Sequence, residues 1–153
     1  MGIFNDFILP CLWAFISCTA FCILFDIHGF GIIYTSLGGA LGWLVYLLVQ
    51  AGSGNRAVAA FAAGVTISLY SEIMARIRKC PASGYLLIAF FPLVPGAGLY
   101  YTMESLLNGD QLGFQTNGYN TLAMAGGLAL GVLLVASLMR MLNNMRQTRK
   151  NAA

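Results

Sequence analysis

Stretches free of any charged side chain dominate the chain, at 7–25, 27–55, 80–103 and 111–139, with a shorter one at 57–71. A helix rises about 1.5 Å per residue, so about 20 apolar residues cross the hydrocarbon core of a bilayer. Each long run therefore holds one span. The polar punctuation predicts five spans, near 7–25, 31–51, 57–75, 84–107 and 121–142. Asp26-Ile27-His28-Gly29 closes the first, and the flexible turn Gly52-Ser53-Gly54-Asn55-Arg56 closes the second. Arg76-Ile77-Arg78-Lys79, followed by Pro81, closes the third. A polar, glycine-containing loop is expected at 108–120, and a basic tail at 143–153. The expected fold class is an all-α integral membrane protein built as one transmembrane domain.

Composition rules out the soluble alternative. Of the 153 residues, 59% are hydrophobic and 8% are charged, against roughly a quarter charged in soluble domains. The net charge of +3 is not a nucleic-acid footprint, because the basic residues sit at span ends rather than on one patch. No basic residue precedes the first span, which makes Met1-Gly2-Ile3-Phe4-Asn5-Asp6 a poor signal peptide. Position 6 also lacks the Ser or Thr of a myristoylation motif. The first span is read as retained.

Charge sets the orientation. With five crossings, the 76–83 loop and the C-terminal tail share one side and hold seven of the eight basic residues; Arg56 stands alone on the other. The Lys/Arg bias of cytoplasmic loops then puts the N-terminus outside and the C-terminus inside. The fourth span should cross rather than turn back, since a re-entrant segment would leave the basic tail outside. Gly38 and Gly42, Gly127 and Gly131, and Ala60 and Gly64 have the small-xxx-small spacing that lets helix backbones approach closely in lipid. Such faces serve packing within the chain or a partner subunit.

The fourth span carries the candidate chemistry. Ala89-Phe90-Phe91-Pro92-Leu93-Val94-Pro95-Gly96-Ala97-Gly98 falls in its middle. Proline removes a backbone donor and clashes with the preceding turn, so Pro-x-x-Pro-Gly should break the helix. Broken backbone at membrane depth is tolerated only where protein or a wet cavity satisfies it. The half-helix starting near Gly96 would present free N–H groups and a positive dipole end to an anion. The half ending near Phe91 would offer carbonyls to a cation. Discontinuous helices of this kind mark substrate sites in secondary transporters.

Pro92-Leu93-Val94-Pro95-Gly96, with Leu99-Tyr100-Tyr101-Thr102-Met103 and Asn108-Gly109-Asp110, resembles the signature of the threonine/serine exporter family. Ser71-Glu72-Ile73-Met74-Ala75-Arg76 and Pro81-Ala82 fit it as well. The length is similar to the short membrane subunit of split, two-polypeptide exporters. The resemblance implies a bacterial inner-membrane protein, a larger membrane partner, and a small carboxylate substrate: threonine or serine in one branch, succinate in another. It also implies that fused relatives are inverted repeats, since an odd span count reverses the second half. The substrate-binding candidates are Pro92, Pro95, Gly96, Gly98, Tyr100 and Tyr101, the tyrosines being either donors to a carboxylate or part of an interfacial belt.

The coupling or gating candidates are Glu72, Arg76, Glu104 and Asp26. Glu72 precedes Arg76 by four residues, the favourable order for a helical ion pair. Glu104, within a span, either serves function or snorkels to the outer surface. Asp26 lies beside His28, the sole histidine. Cys11, Cys18 and Cys22 share a face of the first span with no histidine or carboxylate beside them; small apolar packing is expected rather than a metal site. Cys80 falls on the side where thiols stay reduced. Ser53 and His28 lie at opposite ends of the second span and form no hydrolytic dyad. No nucleotide-binding loop, cofactor or enzyme activity is implied. The expected activity is gradient-driven export by alternating access, with a non-transporting scaffold subunit as the alternative and a channel third.

Overall fold

A computed structural model describes residues 7–151, with side chains described as far as Met145. The expectations about the first six residues, and about the side chains of Arg146, Arg149 and Lys150, lie outside the described residues. The described chain is helical, with six helices: α1 (Leu9–Leu24), α2 (Gly31–Ser53), α3 (Arg56–Arg78), α4 (Ala82–Phe90), α5 (Gly96–Leu107) and α6 (Gln111–Asn151). A single 3₁₀ turn, Phe91–Leu93, follows α4.

Short devices end the helices. Gly54 adopts a left-handed φ of 64° and returns its N–H to Gln50 O at 2.9 Å, the usual route for satisfying a terminal carbonyl. Asn55 then caps α3, its Oδ1 accepting from Ala57 N at 2.9 Å. Lys79 ends α3 in a left-handed conformation, and Pro81 occupies the N-cap of α4, where its missing N–H costs nothing.

Among the described residues, three helical stretches are long and apolar enough to cross a membrane: α2, α3 and the Gln111–Met145 part of α6. The pair α4 and α5 makes a fourth, bent by 45° at the break. α1, apolar but only 16 residues long, spans about 24 Å, somewhat less than the roughly 30 Å hydrocarbon core. The architecture is that of an all-α membrane protein.

The expected loop at 108–120 is not a loop. Helix α6 begins at Gln111, leaving Asn108, Gly109 and Asp110 as the turn. Gly109 takes a φ of 72°, and Asp110 caps α6 by accepting from Gly113 N at 3.0 Å. The polar residues that looked like a linker instead pack on α5: Asn117 Nδ2 donates to Ser105 Oγ at 3.3 Å, and a Cβ at Gly98 would collide with Thr121. The 41 residues of α6 extend about 60 Å, twice the bilayer core, so both polar ends reach past it.

Contacts fix the directions. Cys18 meets Gly39, and Thr19 Oγ1 lies 2.9 Å from Ser36 Oγ, so α1 and α2 are antiparallel. Gly38 faces Tyr70 and Gly42 faces Ile67, so α2 and α3 are antiparallel. Gly127 faces Ala57 and Arg76 reaches Asn143, so α6 runs parallel to α3. The bent pair therefore carries the chain from one end of the bundle to the other. α3 sits at the centre, and its Ala59, Ala60, Ala63 and Ile67 are fully buried among α2, α4 and α6.

The glycine faces are filled from within the chain. A Cβ at Gly38 would meet the Tyr70 ring, and one at Gly42 would meet Ile67. One at Gly127 or Gly131 would strike the α3 backbone at Ala57 or Phe61, and one at Gly64 the Leu128 carbonyl.

Candidate functional site

The break between α4 and α5 follows from its two prolines. Val94 precedes Pro95 and is held extended at φ −62°, ψ 126°, because a residue before proline is driven out of the helical region. Pro92 cannot donate to Ile88 O, and that carbonyl accepts from the Phe91 N–H in a tightened turn and from the Cys18 thiol at 3.5 Å. Cys18 therefore adds a second donor at the broken end of α4 as well as filling space. Phe91 stacks on Phe21 with ring centroids 4.2 Å apart, pinning the turn to α1.

The other end of the break is open. Gly96 N–H bonds Val94 O at 2.7 Å and Leu99 N–H bonds Pro95 O at 3.2 Å. No side chain caps α5, which leaves the Ala97 and Gly98 amides facing outward at a positive dipole end. They line a cleft of about 410 Å³ whose floor holds Trp43, Tyr46 and Pro92. Its walls are Gly96, Gly98 and Tyr101 on one side and Asn117, Asn120, Thr121 and Met124 of α6 on the other; Gln50 and Arg56 stand at the end where α2 meets α3.

The break climbs rather than lying level. Leu93 packs near Gly42 and Ile67 in the middle of α2 and α3. Gly98 faces Thr121, which precedes by six residues the Gly127 that faces Ala57 at the start of α3. The amide end of the break is therefore near one end of the bundle, not at its centre. α5 has no fully buried residue and leans on α6, and this divergence from α2 opens the cleft.

The cleft carries one charge. Arg56 is solvent-exposed on the first turn of α3, where the helix dipole disfavours a cation. Among the described residues it has no carboxylate within 4 Å, and the one imidazole–carboxylate contact there is His28 with Asp26, at 3.6 Å. The indole N–H of Trp43 is buried without a partner.

Of the expected substrate residues, Pro92, Pro95, Gly96, Gly98 and Tyr101 line this cleft. Tyr100 does not: its ring stands edge-on to Tyr101 at 5.5 Å and is 64% exposed on the far side of α5. Gly98 has a packing duty against Thr121, whereas a Cβ at Gly96 would meet nothing within 4 Å. The coupling candidates are elsewhere. Glu104 is exposed beyond the cleft. Glu72 and Arg76 are not paired, because Arg76 turns to α6 and donates to Asn143 Oδ1 at 3.0 Å. Asp26 sits in the α1–α2 turn with His28, at the opposite end of α2 from Arg56. Ser53 donates to Val49 O and is likewise a helix length from His28.

Sequence reasoning passed over Arg56, Gln50, Trp43 and the Asn117–Thr121 turn of α6. One signal was available: Arg56 is the sole basic residue on a side that the charge bias leaves empty. No curated protein and no solved structure matches the chain. A family model, described as Threonine/Serine exporter, ThrE, matches residues 10–138, a stretch that includes the break, the cleft and nearly all of the bundle. The chain belongs to the threonine/serine exporter family.

Proposed function

We propose that the chain is the small membrane subunit of a secondary exporter, working with a larger membrane partner on a small carboxylate-bearing metabolite, either a succinate-like dicarboxylate or threonine/serine. The family is one of transporters. The observation that carries the finer reading is the cleft at the uncapped start of α5, where free amides, amide side chains and a guanidinium converge. A carboxylate there would accept from the Ala97 and Gly98 N–H groups, as anions do at helix N-termini.

We place the protein in a bacterial inner membrane with five crossings, α1 being the first, the N-terminus outside and the basic tail in the cytoplasm. The Lys/Arg bias supports this orientation, and it directs the Arg56 end of the cleft outward. Alternating access would pivot α5 about Val94 and Pro95, since α5 packs chiefly on α6. The scaffold alternative loses its main support, because the glycine faces it would use are already filled from within the chain.

The test is efflux of preloaded labelled succinate and threonine from cells lacking the gene, complemented with wild type or Gly96→Leu at equal membrane abundance. A Cβ at Gly96 meets nothing within 4 Å, so Gly96→Leu enters the cleft rather than the packed face of α5. Efflux of one substrate with wild type and not with Gly96→Leu supports the reading. Equal efflux with both proteins refutes a site at the break.

A further inference from the structure

We propose that Arg56 is the charge selector of this cleft and that its substrate carries net negative charge, so that a dicarboxylate is preferred over a zwitterionic amino acid of similar size. The inference rests on the cleft being the transport site.

Arg56 is the one charged side chain lining the cleft, and the Gln50 and Asn120 amides, the Tyr101 hydroxyl and the first α5 amides stand with it as hydrogen-bond donors, while the Thr121 hydroxyl is spent on Asn117 O. None of the lining residues is acidic. The acidic residues described, Asp26, Glu72, Glu104 and Asp110, all lie outside it. A zwitterion entering here would find its carboxylate satisfied and its ammonium without an anionic partner, beside an uncompensated guanidinium and a positive helix end. A second carboxylate in place of the ammonium turns that repulsion into attraction.

Among the described residues Arg56 pairs with no carboxylate. It sits at the end of α3 where the dipole opposes a cation, and Asn55 already caps that helix. Its forked donors match a carboxylate in a way that lysine's ammonium does not.

The experiment measures succinate and threonine efflux in parallel from cells expressing wild type, Arg56→Gln, Arg56→Lys and Gly96→Leu in the full chain, normalised to membrane abundance. Wild type should export succinate faster than threonine. Arg56→Gln should lower succinate efflux by about tenfold or more, the worth of a charge-assisted hydrogen bond, while leaving threonine efflux within about twofold of wild type. Arg56→Lys should fall between, because it keeps the charge and loses the fork. Loss of both substrates by the same factor in Arg56→Gln overturns the proposal, as does no change in either, or a wild type that exports threonine and not succinate. Gly96→Leu separates the two claims: wild-type rates with that variant refute the cleft as the path, and this inference with it. Its loss alongside an unchanged substrate ratio in Arg56→Gln refutes the selector alone.

Discussion

Gly96 and Gly98 are two residues apart, and the fold gives them different work. Gly98 lies against Thr121, where any Cβ must collide, while Gly96 borders open space. Gly98→Ala should therefore cost about 1–3 kcal/mol through overpacking, read as a lowered Tm in detergent. Gly98→Ala/Thr121→Ala should recover most of that loss. Gly96→Ala should leave Tm within a degree or two of wild type, since it costs well under 1 kcal/mol. If both single variants melt alike, the close approach of α5 to α6 is wrong. Nothing in the sequence separated the two glycines, because both follow Pro95 and only the approach of α6 through Thr121 tells them apart. Glu72 and Arg76 show the converse error: their spacing is right for an ion pair, but Asn143 of α6 offers Arg76 a partner that local spacing does not reveal.

At the scale of the helix, the break was legible and the length of α6 was not. Two prolines and a glycine act through backbone sterics, which operate wherever the segment lies. Polar residues at 111–120 are neutral between a loop and an exposed helix until something packs on one face, and α5 supplies that face through Gly98, Thr102 and Ser105. The cap at Asp110 makes this testable. Asp110→Ala should destabilise the start of α6 by about 1 kcal/mol, seen as faster amide hydrogen exchange at 111–116 with the 127–139 segment unaffected. Slow exchange unchanged throughout would mean that α5 packing alone holds the extension.

Across the whole molecule, orientation can be read by chemical labelling. Asn108 sits in the α5–α6 turn, on the side that the charge bias puts outside, and Cys80 lies at the other end of the bundle and is exposed. In intact cells a membrane-impermeant maleimide should label Asn108→Cys at once, and should reach the native Cys80 only after permeabilisation. The reverse pattern would invert the topology and turn the Arg56 end of the cleft to the cytoplasm. That the chain is an all-α membrane protein, and that its Pro-x-x-Pro-Gly segment breaks a helix, were present in one dimension. Burial in lipid depends on run length and charge, and helix breaking depends on proline and glycine, so both act locally. The cleft was not present there. It exists because α5 leaves α2 and leans on α6, which brings Trp43, Arg56, Gly96 and Asn117 together from four helices. No pattern within a single helix encodes that convergence; it arises from the packing of glycine-lined faces, where contact follows the shape of the partner.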